Sequence, residues 1–175
     1  MKKRSATFLA ALLLCTLQSC LYFVDNDDDD IIIIDPPAGS AYEPLFLDRA
    51  EFEASLTLGP EQPIVDSGKI YVFNDLLFVN EKNKGFHVFQ NTDPSNPQPV
   101  HFIDIPGATD IAAREGVFYV NQAVDLVAIS FFVNGSDLHV SKRIKEVFPP
   151  LRSPDGFFAH NVPEGSIVID WKLKN

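Results

Sequence analysis

The feature that most constrains this chain is a recurrence: four short β-runs, then the same four again about forty residues later. Ile70-Tyr71-Val72-Phe73 is the first run, and Asn74-Asp75 turns the chain into Leu76-Leu77-Phe78-Val79-Asn80. A polar loop follows, and then Phe86-His87-Val88-Phe89-Gln90. The turn-rich segment Asn91-Thr92-Asp93-Pro94-Ser95-Asn96-Pro97 leads into Val100-His101-Phe102-Ile103, and Pro106-Gly107 closes the unit. Aromatic and β-branched runs bounded by Asn, Asp, Pro and Gly are the signature of short strands and their turns. Ile111 then stands 41 residues after Ile70, and Tyr119-Val120-Asn121 stands 41 after Phe78-Val79-Asn80. Leu126-Val127-Ala128-Ile129 follows Phe86-His87-Val88-Phe89 at 40, and Leu138-His139-Val140 follows Val100-His101-Phe102 at 38. The offset shrinks because the second unit has shorter loops, while the strands keep their order. A unit of this kind cannot bury both faces of its sheet alone, so neighbours must cover them.

Four strands recurring at this period are the sequence signature of β-propeller blades. Asp93-Pro94-Ser95-Asn96-Pro97, Pro106-Gly107, Asp110-Ile111-Ala112 and Phe118-Tyr119-Val120 together resemble the LVIVD repeat, and Asp125-Leu126-Val127-Ala128-Ile129 stands where its name-giving run would be. Ser130 replaces the final Asp of that run, and Asn134-Gly135-Ser136 stands in place of Asp-Pro-Ser. From about residue 43 to residue 150 the chain is similar to the N-terminal part of surface lipoproteins built from these repeats, and Val162-Pro163-Glu164-Gly165-Ser166-Ile167-Val168-Ile169-Asp170-Trp171 is similar to a strand found in them. The resemblance implies a mainly β chain. Two four-stranded antiparallel blades of a partial propeller would occupy residues 68–150, with one strand of a third in the tail at 151–175. It is specific for fold and weak for function, because propellers host unrelated activities. Propellers close from four to eight blades, so two blades leave two apolar faces to account for. A shortened gene, self-association through the open faces, and a tail folded over them with Phe157-Phe158 and Trp171 all remain open.

The N-terminus reads as an address. Lys2, Lys3 and Arg4 precede an apolar run from Ala6 to Leu17, the pattern of a secretory signal over residues 1–19. The run is too short to span a hydrocarbon core, which takes about 20 apolar residues. Leu17-Gln18-Ser19-Cys20 then has the form of a lipobox, with Cys20 as the acylated residue and the membrane reached through that lipid. Cys15 falls in the removed segment, so Cys20 would be the only cysteine of the mature chain, which suits lipidation better than a disulfide framework. Asp25, Asp27, Asp28, Asp29 and Asp30 follow in an acidic linker, residues 20–42, that resembles the surface-export signal of some Gram-negative lipoproteins. A calcium loop would alternate its oxygen ligands and include a Gly for the turn, so a solvated, self-repelling spacer is the better reading. The outer membrane, facing the exterior, is therefore the expected location. Ile31-Ile32-Ile33-Ile34 has the β-branched composition of a strand, and Pro36-Pro37 ends whatever it forms.

Residues 43–67 form a lead-in. Leu47, Ala50 and Ala54 share a helical face, Asp48 with Glu51 three later forms a capping box, and Gly59-Pro60 stops a helix of two to three turns. Removing the signal takes away three cations and no anions, moving the formal charge from −10 to −13. Such a surface repels phosphates, and no basic patch offsets it, so nucleic-acid binding is not expected. His87, His101, His139 and His160 lack zinc-ligand spacing. Ser153 and Ser166 lack any activating context, and no nucleophile elbow, phosphate loop or dinucleotide fingerprint is present. Asp110 and Asp125 are expected to cap backbone, as are Asn80 and Asn121 at strand ends. No metal or cofactor is expected. The leading reading is a non-enzymatic binding module for an unknown extracellular ligand or partner protein. It would present its loop tips: Glu81, Lys82, Asn83 and Lys84 on one, Asp93 and Asn96 on the other. A glycan hydrolase or lyase is the second reading, and an inactive remnant the third.

Overall fold

The computed structural model describes residues 39–135 and 137–175. The expected signal, Cys20, the Asp residues at 25 and 27–30, and the isoleucines at 31–34 lie outside them.

Among the described residues, eleven strands and one helix follow in order. They are β1 (Tyr42–Asp48), α1 (Arg49–Ala54), β2 (Thr57–Gly59), β3 (Ser67–Phe73), β4 (Leu76–Glu81), β5 (Gly85–Gln90), β6 (Gln98–Asp104), β7 (Ala108–Arg114), β8 (Val117–Gln122), β9 (Asp125–Phe131), β10 (Leu138–Ile144) and β11 (Ser166–Leu173). All pairings are antiparallel. Sheet one runs β2-β6-β5-β4-β3, sheet two runs β10-β9-β8-β7, and β1 with β11 makes a separate two-stranded ribbon. The chain is mainly β, and all eight strands expected from the recurrence are present in sequential meanders.

Three details differ from the sequence reading. The helix is only six residues long. Its cap is the expected one, with Glu51 N–H donating to Asp48 Oδ1 at 2.9 Å, but Ser55 Oγ then donates to the Phe52 carbonyl at 2.8 Å. Leu56 and Leu58 leave the helix to pack against the core. Thr57–Gly59 thereby becomes a fifth strand on the margin of sheet one, pairing with β6. The tail strand β11 is not a lone strand: it pairs along its length with β1, drawn from the lead-in.

Strand alternation decides which side chains meet. Tyr71, Phe78, Val88, Phe86 and Ile103 share one face of sheet one, and Ile111, Phe118, Val120, Val127 and Ile129 share one face of sheet two. These two faces pack on each other as the single core of the two sheets. At its centre the Phe118 ring lies 5.0 Å from Phe78, 5.6 Å from Phe73 and 5.3 Å from Phe131 between centroids. Edge-on and offset arrangements of this kind add about 0.5–1.5 kcal/mol per pair to the area buried. Gly85 opens β5 where nothing larger fits, because a Cβ there would lie 1.9 Å from the Ile103 carbonyl oxygen.

The opposite face of sheet one carries a strap. Residues 60–66 run from β2 on one margin to β3 on the other, so they must cross four strand spacings, roughly 19 Å. Glu81 fastens the crossing. Its buried carboxylate accepts from Val65 N–H at 3.0 Å and Asp66 N–H at 2.7 Å, and lies 3.0 Å from His87 Nε2. Desolvation raises the Glu81 pKa, but the Val65, His87 and Asp66 bonds outweigh it and hold the carboxyl below its ordinary value.

Phe118→Ala should remove the centre of the core and cost about 3–5 kcal/mol, read as a fall in the urea midpoint. Leu173→Ala, on the exposed end of β11, should shift stability by about 0.5 kcal/mol or less.

Candidate functional site

After β10 the chain runs without regular structure through residues 145–165 before returning along β11. This excursion and β11 enclose a cleft of about 490 Å³, walled by Val124, Phe148, Phe158, Val162, Ile167 and Val168. That volume falls in the range of small-molecule sites, roughly 300–1,000 Å³. The lining is apolar apart from Glu146 and Ser166. It has the chemistry to hold an apolar group and orient it with one carboxylate.

One wall of the cleft is set by a fully buried carboxylate, Asp125, at the head of β9. Arg49 clamps it with two bonds, Nη1 to Oδ1 at 3.1 Å and Nη2 to Oδ2 at 2.7 Å, and Arg143 Nη1 adds a third to Oδ2 at 2.9 Å. The fourth bond comes from Glu146 N–H, which donates to Asp125 Oδ1 at 3.1 Å, and Phe148 N–H reaches the Val124 carbonyl at 3.0 Å. Residues 146–148, one side of the cleft, therefore hang from the Val124–Asp125 backbone and side chain. Glu53 completes the cluster at 2.6 Å from both Arg49 Nε and Lys145 Nζ. Both guanidinium groups sit over the buried Phe52 ring, at 5.5 Å for Arg49 and 5.4 Å for Arg143. Burial tends to lower the Arg49 pKa, but its bonds to Asp125 and Glu53 win and raise it.

The other wall is a loop closed on itself. Buried Ser153 donates from N–H to the Phe157 carbonyl at 2.9 Å, and its hydroxyl accepts from Phe157 N–H at 2.8 Å. That hydroxyl also donates to Asp155 Oδ1 at 2.5 Å. Asp155 in turn accepts from Ser40 Oγ and Ala41 N–H, both at 2.7 Å, which ties the loop to the approach to β1. Arg152 stacks over Phe158 at 4.2 Å, and Trp171 Nε1 donates to the Leu151 carbonyl at 3.3 Å. Desolvation alone would raise the Asp155 pKa, but the bonds from Ser153, Ser40 and Ala41 pull it down to about 2.

The loop residues singled out in sequence lie elsewhere, on two separate turns. Glu81 is buried under the strap, and Asn83 takes a left-handed backbone (φ 56°) and donates to Asp170 Oδ1 at 2.8 Å, joining sheet one to the ribbon. Lys82 is exposed and pairs with Asp66 at 2.7 Å, and Lys84 Nζ stands 4.0 Å from Glu81. Asp93 accepts from Ser95 N–H at 3.0 Å, and Asn96 Oδ1 from Gln98 Nε2 at 2.8 Å, so both order their own turn. That turn joins β5 to β6, at the opposite end of β5 from residues 81–84. Asp110 caps Ile111 N–H at 2.9 Å, as expected of it, and also reaches across the sheets to Lys69 at 2.7 Å and Tyr71 Oη at 2.5 Å. Asn80 donates to the Gly85 carbonyl at 3.0 Å.

The cleft itself was not foreseen. Phe157-Phe158, Trp171 and the strand containing Val168 marked the tail as apolar, but nothing in the sequence shows that Val124 and Phe148 join them around one space. Among the described residues, no three His, Cys, Asp or Glu side chains converge to hold a metal, and no helix is long and apolar enough to cross a membrane. No family model, curated protein or solved structure matches the chain.

Asp125→Ala should leave two guanidinium groups without their shared anion and cost about 3–5 kcal/mol. Asp155 gives a pH test. Its folded pKa is depressed, so its contribution is complete above the unfolded value of about 3.9 and is lost as pH falls toward about 2. Trp171, the only tryptophan of the chain, should report loosening of the tail over that window, and Asp155→Asn should show the loosened emission already at pH 7.

Proposed function

We propose that the protein is a lipid-anchored binding module displayed at the cell surface, with the apolar cleft as its ligand site. In this reading the two repeated sheets are LVIVD-type blades of a partial propeller, acylated Cys20 is the anchor, and the acidic run beyond it directs the chain outward. The observation that carries the binding role is the cleft, which combines drug-sized volume with a lining that is apolar except at Glu146 and Ser166. Its two walls are held by separate hydrogen-bond clusters, around Asp125 and around Ser153 with Asp155. A site held by its surroundings loses little freedom on binding, which favours recognition. The mainly apolar lining suits recognition of an apolar ligand, and recognition without turnover is the activity proposed.

The full-length chain should bind the neutral apolar dye Nile red with a rise in its emission, and Ala159→Trp, which fills the cleft, should weaken that binding at least about tenfold. Equal binding by the variant would place the dye elsewhere and remove the cleft from the proposal. Cys20→Ser should abolish incorporation of radiolabelled palmitate in cells, and unchanged labelling would refute the anchor.

A further inference from the structure

The two sheets are joined head to tail. Sheet one uses the face of Tyr71, Phe78 and Val88, and sheet two uses the face of Ile111, Phe118 and Val120. In the recurrence these are opposite faces of the same unit, because Ile111 stands 41 residues after Ile70, Phe118 41 after Leu77, and Tyr119 41 after Phe78. Each sheet therefore leaves open part of the face that its neighbour uses: on sheet one the strap closes over Glu81, and Val79, His87 and Phe102 are buried, while Ile70 and Val72 of β3 stay exposed.

Exposure of repeat-equivalent residues makes this concrete. Ile105 and Ile111 are 0% and 6% exposed at the junction, while their counterparts Ile64 and Ile70, also isoleucines and 41 residues earlier, are 46% and 66% exposed. Val72 beside them is 65% exposed. On sheet two, Tyr119 is 39% exposed where its counterpart Phe78 is 1%. A groove of about 310 Å³ runs over that free face, lined by Ala112, Tyr119, Asn121 and Leu126 with Asp110 at its margin. Isolated exposed apolar residues need no explanation, but a set that repeats a buried set does.

Charge points to the occupant. Lys69 and Asp110 are themselves counterparts, 41 residues apart, and they pair at 2.7 Å across the internal junction. If sheet two met sheet one of another copy in the same geometry, Asp110 would take the place of Lys69, and the other copy's Lys69 the place of Asp110. The new contact would again set opposite charges together. Both side chains are more than half exposed, which leaves room for a second partner.

We infer that sheet two of one copy packs on the exposed β3 margin of sheet one of a second copy, pairing the same two kinds of face that the internal junction pairs. The contact is heterologous, so it closes into a ring when the rotation between sheets allows. Two copies supply four of the repeated sheets, the smallest number from which propeller blades close. This inference depends on the register of the recurrence and not on the ligand cleft, so the failure of either leaves the other standing.

Sedimentation equilibrium of the full chain in density-matched detergent tests it. The wild type should sediment as a dimer. Ile70→Asp blocks the free face of sheet one and Tyr119→Asp that of sheet two, so each alone should be monomeric. Mixed one to one, they should form a heterodimer through the single intact pair of faces, with an association constant at least about tenfold below wild type. Val72→Lys and Ala112→Lys repeat the test at second positions, and a cooperative circular-dichroism melt of each variant checks that it is folded. A monomeric wild type, or dimers that persist in folded single variants, would overturn the inference. So would mixed variants that stay monomeric, since only a head-to-tail contact is rescued by mixing.

Discussion

A β-sheet has two faces, and in a chain of this size the choice of which face to bury governs everything else. Here one apolar junction does most of the work. Phe78, Phe86, Val88 and Ile103 from sheet one meet Ile111, Phe118, Val120, Val127 and Ile129 from sheet two, and nearly all are fully buried. Each such side chain contributes roughly 1.5–3 kcal/mol on leaving water, and no other cluster in the described residues approaches that total. The remaining architecture arranges itself around this contact. The strap crosses the back of sheet one, the ribbon of β1 and β11 meets the turn at Asn83, and α1 plugs onto the head of β9 through Asp125.

The polar clusters have a different role from the core. Buried charge is costly to desolvate, and a fully paired cluster seldom stabilises more than an apolar substitute would. What Asp125 supplies is position: four donors from α1, β10 and the segment after it converge on its two oxygens. Ser153 and Asp155 do the same for the opposite side. The cleft therefore lies between two segments that have no strand ladder of their own and are held in place by directional bonds. Irregular chain of this sort is where binding sites are commonly found.

Strands were the most legible part of the sequence, because alternation and turn residues act locally: Asn74-Asp75 and Asn91 to Pro97 delimit β3 to β6 unaided. The cap at Asp48 was legible for the same reason. What escaped was non-local. Tyr42–Asp48 pairs with Ser166–Leu173 more than a hundred residues away, and neither segment alternates clearly enough to announce it. Thr57–Gly59 was hidden by a helical pattern that Ser55 cuts short. The loop residues Glu81 and Asn83 looked like solvated tips because they are polar and follow a strand. Their side chains instead serve the strap and the ribbon, partners that only the folded chain brings near. The cleft belongs wholly to this second class.

The most direct test of a single shared core is native-state hydrogen exchange on the central strands β4 and β5 of sheet one and β8 and β9 of sheet two. If the Phe78–Phe118 junction holds both sheets, their slowest amides should exchange through one common opening, with matching free energies and matching denaturant dependence. Two distinct levels, with one sheet opening while the other stays protected, would contradict it, since each sheet would then be stable without the face that the other supplies.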